Sequence, residues 1–363
     1  MNLLQAPFVR DLETFTSTPA HFRRIGERSS WADANRAGMP VVDSTHSRRT
    51  FVKSVAGLSG LALGLGGCAA APAPVVRGER LAVPYSHGSE APAIPVPIGA
   101  TDCHHHIFDP RFPRPNGRTG IWGTVDDYRQ LQRRLGLSRS VIASPSSYGF
   151  DNRCLVDALD AFGGRCRGVA AVRLEDSDAE LDRLHGHGVR GIRLYLIGDV
   201  PTPPTRFAAY ADRIGRLGWH IQVVAVSDEA LVAAEPAFST LQCTLVIDHF
   251  GYVAQPGGID RPSMKVLRRL LDKGNVYVKL SAPYISSKVG APTYADVDPV
   301  ATALVQAAPE RMLWGSDWPH PLVTTDPRPD DAAMLDRLAI WAPDPNRRRQ
   351  ILVENPTRLY WAQ

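Results

Sequence analysis

The chain has 363 residues, of which 44% are hydrophobic and 21% charged, and this balance excludes a wholly disordered or fibrous protein. Five cysteines without a paired Cys-x-x-Cys spacing argue against a disulfide framework and against a cysteine-rich zinc site. The net charge of +4 arises within the first 80 residues and the remainder is neutral, so the charge does not predict nucleic-acid binding.

The N-terminal part has the pattern of an export signal. Arg48 and Arg49 lie in a Ser-Arg-Arg-Thr-Phe sequence that looks like a twin-arginine motif. The uncharged run that follows, residues 54–67, is shorter than the roughly 20 residues that span a bilayer and fits the apolar region of a signal peptide. We therefore interpret residues 47–68 as a signal and predict export by the twin-arginine machinery, in the folded state, to the periplasm or cell envelope.

Three further features surround this signal. The Leu-Gly-Gly-Cys sequence that ends at Cys68 resembles a lipobox, which predicts lipidation of Cys68 and membrane contact through a lipid anchor only. Ordinary cleavage at the alanine triplet that follows is the alternative. Because signals rarely begin so far into a chain, we interpret residues 1–46 as an upstream extension and Met39 as the start of translation. Residues 69–97 are rich in Ala and Pro and are predicted to be an extended linker.

From residue 98 onward, short β-rich runs alternate with helical patterns. Eight strands within residues 98–363 match a (β/α)8 TIM barrel in count and size. An open doubly wound sheet is the alternative, but it usually has a glycine-rich phosphate loop after its first strand, and here that strand ends in histidines. The predicted strands are Gly99–His104, Ser140–Ser144, Gly168–Leu174, Gly191–Leu196, His220–Val226, Thr244–His249, Val276–Ser281 and Met312–Ser316. The predicted helices include Val125–Leu135, Ala179–His185, Thr205–Leu217, Asp228–Phe238, Ser263–Asp272, Ala295–Ala308 and Asp331–Trp341.

The first predicted strand ends in three consecutive histidines. Because side chains alternate along a strand, we expect Asp102, His104 and His106 on one face and His105 on the other. Two histidines at this spacing can converge on a metal ion or on a substrate oxygen. Cys103 is expected to face away from them and to serve as buried packing.

Two other strands end in residues that can take part in the same chemistry. His249 follows the sixth strand, on the face opposite to Asp248, and Asp317 follows the eighth strand. In a closed barrel the eighth strand lies beside the first, and active sites lie at the carboxyl ends of the strands. We therefore predict one catalytic site that contains His104, His106, His249 and Asp317.

This combination resembles the amidohydrolase superfamily, in its amidohydrolase-related (type 2) branch, and is most similar to 2-pyrone-4,6-dicarboxylate lactonases and related lactone hydrolases. The resemblance covers residues 98–363. It rests on the Asp-x-His-x-His sequence at 102–106, on Ile-Asp-His-Phe-Gly at 247–251 and on Gly-Ser-Asp-Trp-Pro-His-Pro at 315–321. It implies a (β/α)8 barrel and hydrolysis of a lactone or a similar carboxylic ester.

The chain departs from the two-metal members of that superfamily, which carry a Lys or Glu after strand four and a His after strand five. Here strand four offers Arg193 and strand five has no histidine, so the sequence argues against a binuclear site. Two alternatives remain open: no cofactor, or one divalent ion, Zn²⁺ or Mn²⁺, on His104, His106 and Asp317.

The expected partner is a small-molecule lactone or carboxylate. Arg193 matches a carboxylate-binding arginine of the lactonases, whereas Tyr252 stands where a further arginine is expected, which predicts a substrate with fewer carboxylates. The predicted substrate-binding residues are Arg193, Tyr148, Tyr195, Tyr252 and His320, and Tyr284 adds to the aromatic character of the pocket.

Hydrolysis of a lactone needs an activated water, a polarised carbonyl and a proton for the leaving oxygen. We expect Asp317 to be the general base, the histidines to stabilise the oxyanion directly or through a metal, and Arg193 to hold a carboxylate. Lys279 is expected to be an ion-pair partner inside the barrel. The alternatives are a metal-dependent non-oxidative decarboxylase on the same barrel and a catalytically silent envelope binding protein.

Overall fold

The computed structural model describes residues 80–115, 120–197 and 201–362. The upstream extension, the twin-arginine segment, Cys68 and the first part of the predicted linker lie outside these residues. None of the helices in the described ranges has both the length and the apolar character needed to cross a bilayer.

The fold is built on eight parallel strands that lie side by side in the order of the chain. This sequential order confirms the predicted barrel and excludes the doubly wound sheet, in which the order reverses at a switch point. The strands are β1 Thr101–His105, β2 Arg139–Ala143, β3 Cys166–Ala170, β4 Val189–Tyr195, β5 His220–Val224, β6 Leu245–Ile247, β7 Val276–Ser281 and β8 Met312–Gly315.

The barrel closes where β1 meets the backbone that follows β8. The Asp317 N–H donates to the His104 carbonyl, and the His106 N–H donates to the Trp318 carbonyl, both at 2.8 Å. Gly315 permits this approach, since a Cβ atom there would lie 2.6 Å from the His104 Cβ. The first and last strands therefore hold their catalytic candidates next to each other.

Helices cover the outside of the barrel. The first helix has clear start and stop signals. Thr124 and Asp127 form a capping box at its start, and Gly136, in the left-handed conformation, ends it.

The predicted helices differ from the observed ones at two places. The helix after β2 was not among the predicted elements, and the predicted helix Asp331–Trp341 consists of two shorter helices. The helices are α1 Val125–Leu135, α2 Arg153–Phe162, α3 Asp178–Gly186, α4 Phe207–Gly215, α5 Asp228–Thr240, α6 Pro262–Asp272, α7 Asp298–Ala307, α8 Asp331–Asp336, α9 Leu338–Trp341 and α10 Pro345–Arg349.

Alternation along the strands produces two apolar layers. Residues that face the helices form the larger one, whereas Val141, Val169, Val246 and Leu313 pack inside the barrel. Cys103 belongs to this inner cluster. The prediction that it faces away from His104 was therefore wrong, because a β-bulge between Asp102 and His105 interrupts the alternation of β1.

The segment before the barrel packs on it. Val83 is buried, the Trp318 indole N–H donates to the Pro84 carbonyl at 2.8 Å, and Arg134 donates to the Glu90 carbonyl at 2.8 Å. Residues 80–97, which were assigned to the linker, are thus part of the folded domain. Proline and alanine composition alone did not reveal this, because the apolar side chains that pack against the core, Leu81, Val83, Tyr85, Ile94 and Val96, are scattered along the segment without a period.

Candidate active site

Asp317 lies at the centre of the site, at the carboxyl end of β8. Its Oδ1 atom is 3.3 Å from His104 Nε2, 3.2 Å from His106 Nε2 and 3.9 Å from His249 Nε2. All four side chains are buried. The structure therefore brings together the four residues for which the sequence predicted a single site.

Second contacts on the imidazoles determine which nitrogen faces Asp317. His106 Nδ1 is 2.7 Å from the Ala143 carbonyl, which can only accept, so Nδ1 carries the hydrogen and Nε2 presents a lone pair. His249 Nδ1 is 2.8 Å from Ser281 Oγ, and His104 Nδ1 is 3.2 Å from Asp248 Oδ1. In metal sites, histidine ligands commonly have such a contact on the ring nitrogen that does not bind the metal, and this contact orients the ring.

Beneath the site, the barrel interior contains a charged network. Asp248 accepts from Arg193 Nη2 at 3.1 Å and from Gln222 Nε2 at 3.0 Å, and its other oxygen is 3.7 Å from Lys279 Nζ. Lys279 also donates to Gln222 Oε1 at 2.6 Å. Lys279 is therefore the predicted ion-pair partner. Asp248 and Gln222, which the sequence analysis gave no role, complete the network.

The surroundings shift the pKa values of these groups. Burial alone would raise the pKa of Asp317, but the imidazoles of His249, His106 and His104 hold it well below its usual range. Burial lowers the pKa of His104 and of His249. Burial also lowers the pKa of Lys279 to about 8, although Asp248 opposes the shift. Asp317 is therefore an ionised carboxylate at neutral pH, beside His104 and His249 in their neutral forms.

Asp102 ties this site to the barrel wall. Its Oδ1 accepts from the backbone N–H groups of His104 at 2.9 Å and Ser316 at 3.0 Å. Its Oδ2 accepts from the hydroxyls of Tyr128 at 2.9 Å and Ser316 at 2.6 Å. Asp102 thus lies with α1 rather than beside the His104 ring, contrary to the predicted alternation, and it joins β1 to β8.

The alternation prediction also failed after β6. Asp248 and His249 were expected on opposite faces, yet both contact His104, one through its carboxylate and the other through its ring. The strand ends at Ile247, and His249 has a φ of 52°, in the left-handed region. Because residues 248 and 249 lie beyond the strand, their side chains do not alternate between its two faces. The backbone turn brings both side chains inward.

A cavity of about 940 Å³ opens above Asp317. Of the predicted substrate-binding residues, Arg193, Tyr195 and Tyr252 line it. Tyr148 and His320 do not, since Tyr148 contacts the backbone of Asp109, and His320 lies 3.2 Å from Asp331 in the protein interior. Tyr284 is the residue whose hydroxyl contacts Asp317 Oδ2 directly.

Residues that the sequence analysis did not single out also line the cavity. Arg114 follows β1, Arg328 follows β8, and Tyr85 comes from the segment before the barrel. No sequence pattern indicates these residues, because they lie in irregular segments, away from the ends of the strands. Tyr252 lines the cavity at a position where an arginine was expected, while Arg114 and Arg328 reach the cavity from other segments, and the substrate with fewer carboxylates stays a prediction.

The donor set fits one divalent cation. His104, His106 and Asp317 offer ligand atoms within 4.8 Å of one another, and Asp317 Oδ1 has no hydrogen-bond partner among the described residues. The lone pair of His106 Nε2 faces this carboxylate oxygen, so two acceptors meet where only a proton or a metal ion would satisfy both. Two imidazoles and a carboxylate suit Zn²⁺ or Mn²⁺.

Comparisons with known proteins show to which family the chain belongs. The family model described as Amidohydrolase matches residues 101–361. A 2-pyrone-4,6-dicarboxylate hydrolase of Comamonas testosteroni is 36% identical over 293 residues, 77% of this chain and 95% of that protein. A 4-sulfomuconolactone hydrolase of Rhizobium radiobacter is 34% identical over 294 residues, 78% of this chain and 98% of that protein. A solved apo structure from Agrobacterium tumefaciens has a TM-score of 0.68 and 28% identity, covering 75% of this chain and 99% of that one. The chain belongs to the amidohydrolase family.

Proposed function

We propose that this chain hydrolyses a lactone or a similar carboxylic ester. The observation that carries the proposal is the convergence of Asp317 Oδ1 with three imidazole Nε2 atoms on the floor of an open cavity. The relatives support the choice of substrate class, since the Comamonas and Rhizobium enzymes are named for a pyrone and for a muconolactone.

In the proposed reaction Asp317 acts as the base. Its carboxylate accepts a proton from water while the water oxygen attacks the ester carbonyl carbon, which forms a tetrahedral intermediate. The bond from that carbon to the ring oxygen then breaks, and Asp317 returns the proton to the leaving oxygen. The product is the open-chain acid with a free hydroxyl or its enol equivalent, and Asp317 is regenerated as a carboxylate.

The neighbouring side chains would stabilise the charge that develops on the carbonyl oxygen. Arg193, whose Nε has no partner among the described residues, would supply a positive charge at the cavity wall, and His104, His106 and His249 would act on that oxygen through a metal ion held at the site. His104, His106 and Asp317 would hold a single Zn²⁺ or Mn²⁺. Such an ion, when bound, polarises a carbonyl and acidifies water.

A panel of lactones with and without a carboxylate tests the proposal, with hydrolysis followed by proton release at constant pH. The metal content of protein purified without added metal would be measured on the same sample. We expect hydrolysis of at least one lactone, with no release of CO₂. Release of CO₂ from a carboxylated substrate without ring opening would instead favour the decarboxylase, and binding without turnover would favour the silent binding protein.

We also propose that the protein reaches the periplasm or cell envelope by the twin-arginine route. The support is the sequence around Arg48 and Arg49, together with the Cys68 motif. Replacing both arginines by lysine should leave the precursor in the cytoplasm. Cys68→Ala should release soluble periplasmic protein if the cysteine is lipidated. Normal export of the double-lysine variant would contradict the proposed route.

A further inference from the structure

The cavity above Asp317 changes in character from floor to opening. Its floor carries the polar groups of His106, Arg193, His249 and Asp317. Higher in the cavity, beside Arg114 and Arg328, lie four more exposed apolar side chains that follow different strands and that we call the apolar rim: Ile197 after β4, Val226 after β5, Ile285 after β7 and Leu322 after β8. A ligand whose reacting group lies at Asp317 can therefore contact this rim.

The apolar rim is unusually exposed for its composition. Leu322 is 68% exposed and Val226 is 46% exposed, whereas most large apolar residues in the described part of the chain are buried. Both residues also line the cavity above the catalytic candidates. Contact with apolar atoms of a ligand would remove this surface from water, which is favourable in proportion to the area buried.

Val226 gives a second and independent indication. Its φ is 68°, and a β-branched residue in the left-handed region is a genuine conformational outlier. Such strain tends to persist at ligand-binding sites, where the surrounding structure holds the residue in place. The residue follows β5 and presents an apolar side chain to the cavity.

The volume of the cavity agrees with a ligand larger than a single ring. At about 940 Å³ it lies near the top of the range of roughly 300–1,000 Å³ for small-molecule sites. A six-membered lactone at Asp317 would fill only the floor. The remaining space is lined by residues of the apolar rim and by Ser146 and Ser147, among others.

We propose that the substrate is a lactone with an apolar alkyl or aryl substituent, which packs against Val226 and Leu322 while the ring lies at Asp317. The inference rests on the lactone hydrolysis proposed above and goes further, because it names the substituent and the residues that select it. A membrane surface or a protein partner that covered the rim would be a different explanation of the same exposed side chains.

The test is a chain-length series with the purified full chain. kcat/KM would be measured for δ-valerolactone and for homologues with unbranched alkyl chains of two, four and six carbons next to the ring oxygen. A methylene buried in apolar contact contributes roughly a fourfold gain, equivalent to about 0.8 kcal/mol. Because the rim is open on one side, we expect kcat/KM to rise by about two- to fourfold per methylene.

Two nearly isosteric variants assign the effect to the rim. Val226→Thr keeps the branched shape and adds a hydroxyl, and Leu322→Asn replaces apolar atoms by an amide. In each, the ratio of kcat/KM for the six-carbon homologue to that for δ-valerolactone should fall by about three- to tenfold. Val289→Thr is the matched control: Val289 is 63% exposed and lies outside the cavity, so the ratio should equal that of the wild type.

The outcomes separate this inference from the function on which it rests. If δ-valerolactone is hydrolysed but kcat/KM is flat or falls with chain length, the substituent is not recognised and the inference is wrong. The inference is equally wrong if kcat/KM rises with chain length to the same extent in wild type, Val226→Thr and Leu322→Asn. If no lactone of either panel is hydrolysed, the proposed function itself fails.

Discussion

At Asp317 the backbone adopts a φ of 61°, which is uncommon for a residue other than glycine. Its N–H donates to the His104 carbonyl, so the strained turn is fixed to β1, and the Tyr284 hydroxyl contacts its Oδ2. One carboxylate oxygen is thereby engaged, while Oδ1 remains directed at the imidazoles. Position and orientation of the proposed base are thus determined before any substrate arrives.

Asp317→Asn keeps the size of the side chain but removes its ability to accept a proton. Turnover should fall by about 10²–10⁴, the usual contribution of a positioned acid–base group. Three measurements on this variant distinguish the roles: rate, metal content and melting temperature. A loss of metal together with rate would identify a ligand, and a stable, fully active variant would remove Asp317 from the mechanism.

Lys279 should make stability depend on pH in the alkaline range. Its folded-state pKa of about 8 lies below the roughly 10.4 of an exposed lysine, so the unfolded chain binds more protons between pH 8 and 10. The free energy of unfolding should therefore rise with pH in this window. Urea denaturation measures this free energy of unfolding. Between pH 8 and 10, it should increase for wild type by about 1–3 kcal/mol more than for Lys279→Met.

Lys265→Met serves as the control for this experiment, because Lys265 is exposed on α6. Its stability should follow that of wild type at every pH. If the free energy of unfolding changed with pH in the same way for wild type and Lys279→Met, Lys279 would not titrate in this range.

At the scale of elements, the close approach of β1 and β8 should be sensitive to a single methyl group. In Gly315→Ala the new Cβ would lie 2.6 Å from the His104 Cβ and 2.9 Å from the His104 N, so the strands must separate. We expect a loss of about 1–3 kcal/mol in stability and a larger relative loss of activity, because His104 and Asp317 move apart.

Gly164→Ala is the matched control, since an added Cβ there would meet nothing within 4 Å and its φ is not positive. Denaturation midpoint and lactone hydrolysis would be measured for both variants. A Gly315→Ala protein as active and stable as Gly164→Ala would show that the contact between the strands tolerates the methyl group.

The elements also show how far the sequence could predict the molecule. Periodicity located all eight strands and therefore the barrel, and the strand ends located His104, His106, His249 and Asp317. What failed was local backbone geometry: the bulge in β1 turns Asp102 away from the His104 ring. Residues that act from irregular segments, such as Tyr85 and Arg328, have no periodic pattern, and only the folded chain brings them to the cavity.

For the whole molecule, the folded domain should begin upstream of the first strand. A chain that starts at Ile98 would lose the hydrogen bonds from the Trp318 indole to Pro84 and from Arg134 to Glu90 and His87, together with the buried side chain of Val83. At about 0.5–1.5 kcal/mol for each hydrogen bond and about 1.5–3 kcal/mol for the buried valine, the melting temperature should fall by about 10 °C.

A chain that starts at Arg80 keeps all of these contacts and should melt like the full chain. Differential scanning fluorimetry of the two truncated proteins would make the comparison. Equal melting temperatures would mean that residues 80–97 lie on the barrel without contributing to its stability.

The Asp102 carboxylate has a consequence for the order in which the protein forms. It joins His104 to Ser316, and Asp102 and Ser316 are 214 residues apart in the chain. Contacts of such long range form late, because most of the chain must be ordered before they can be made. The proposed catalytic centre therefore cannot form in a nascent or incompletely folded chain. It forms only when the last strand pairs with the first, so enzymatic activity would report complete folding.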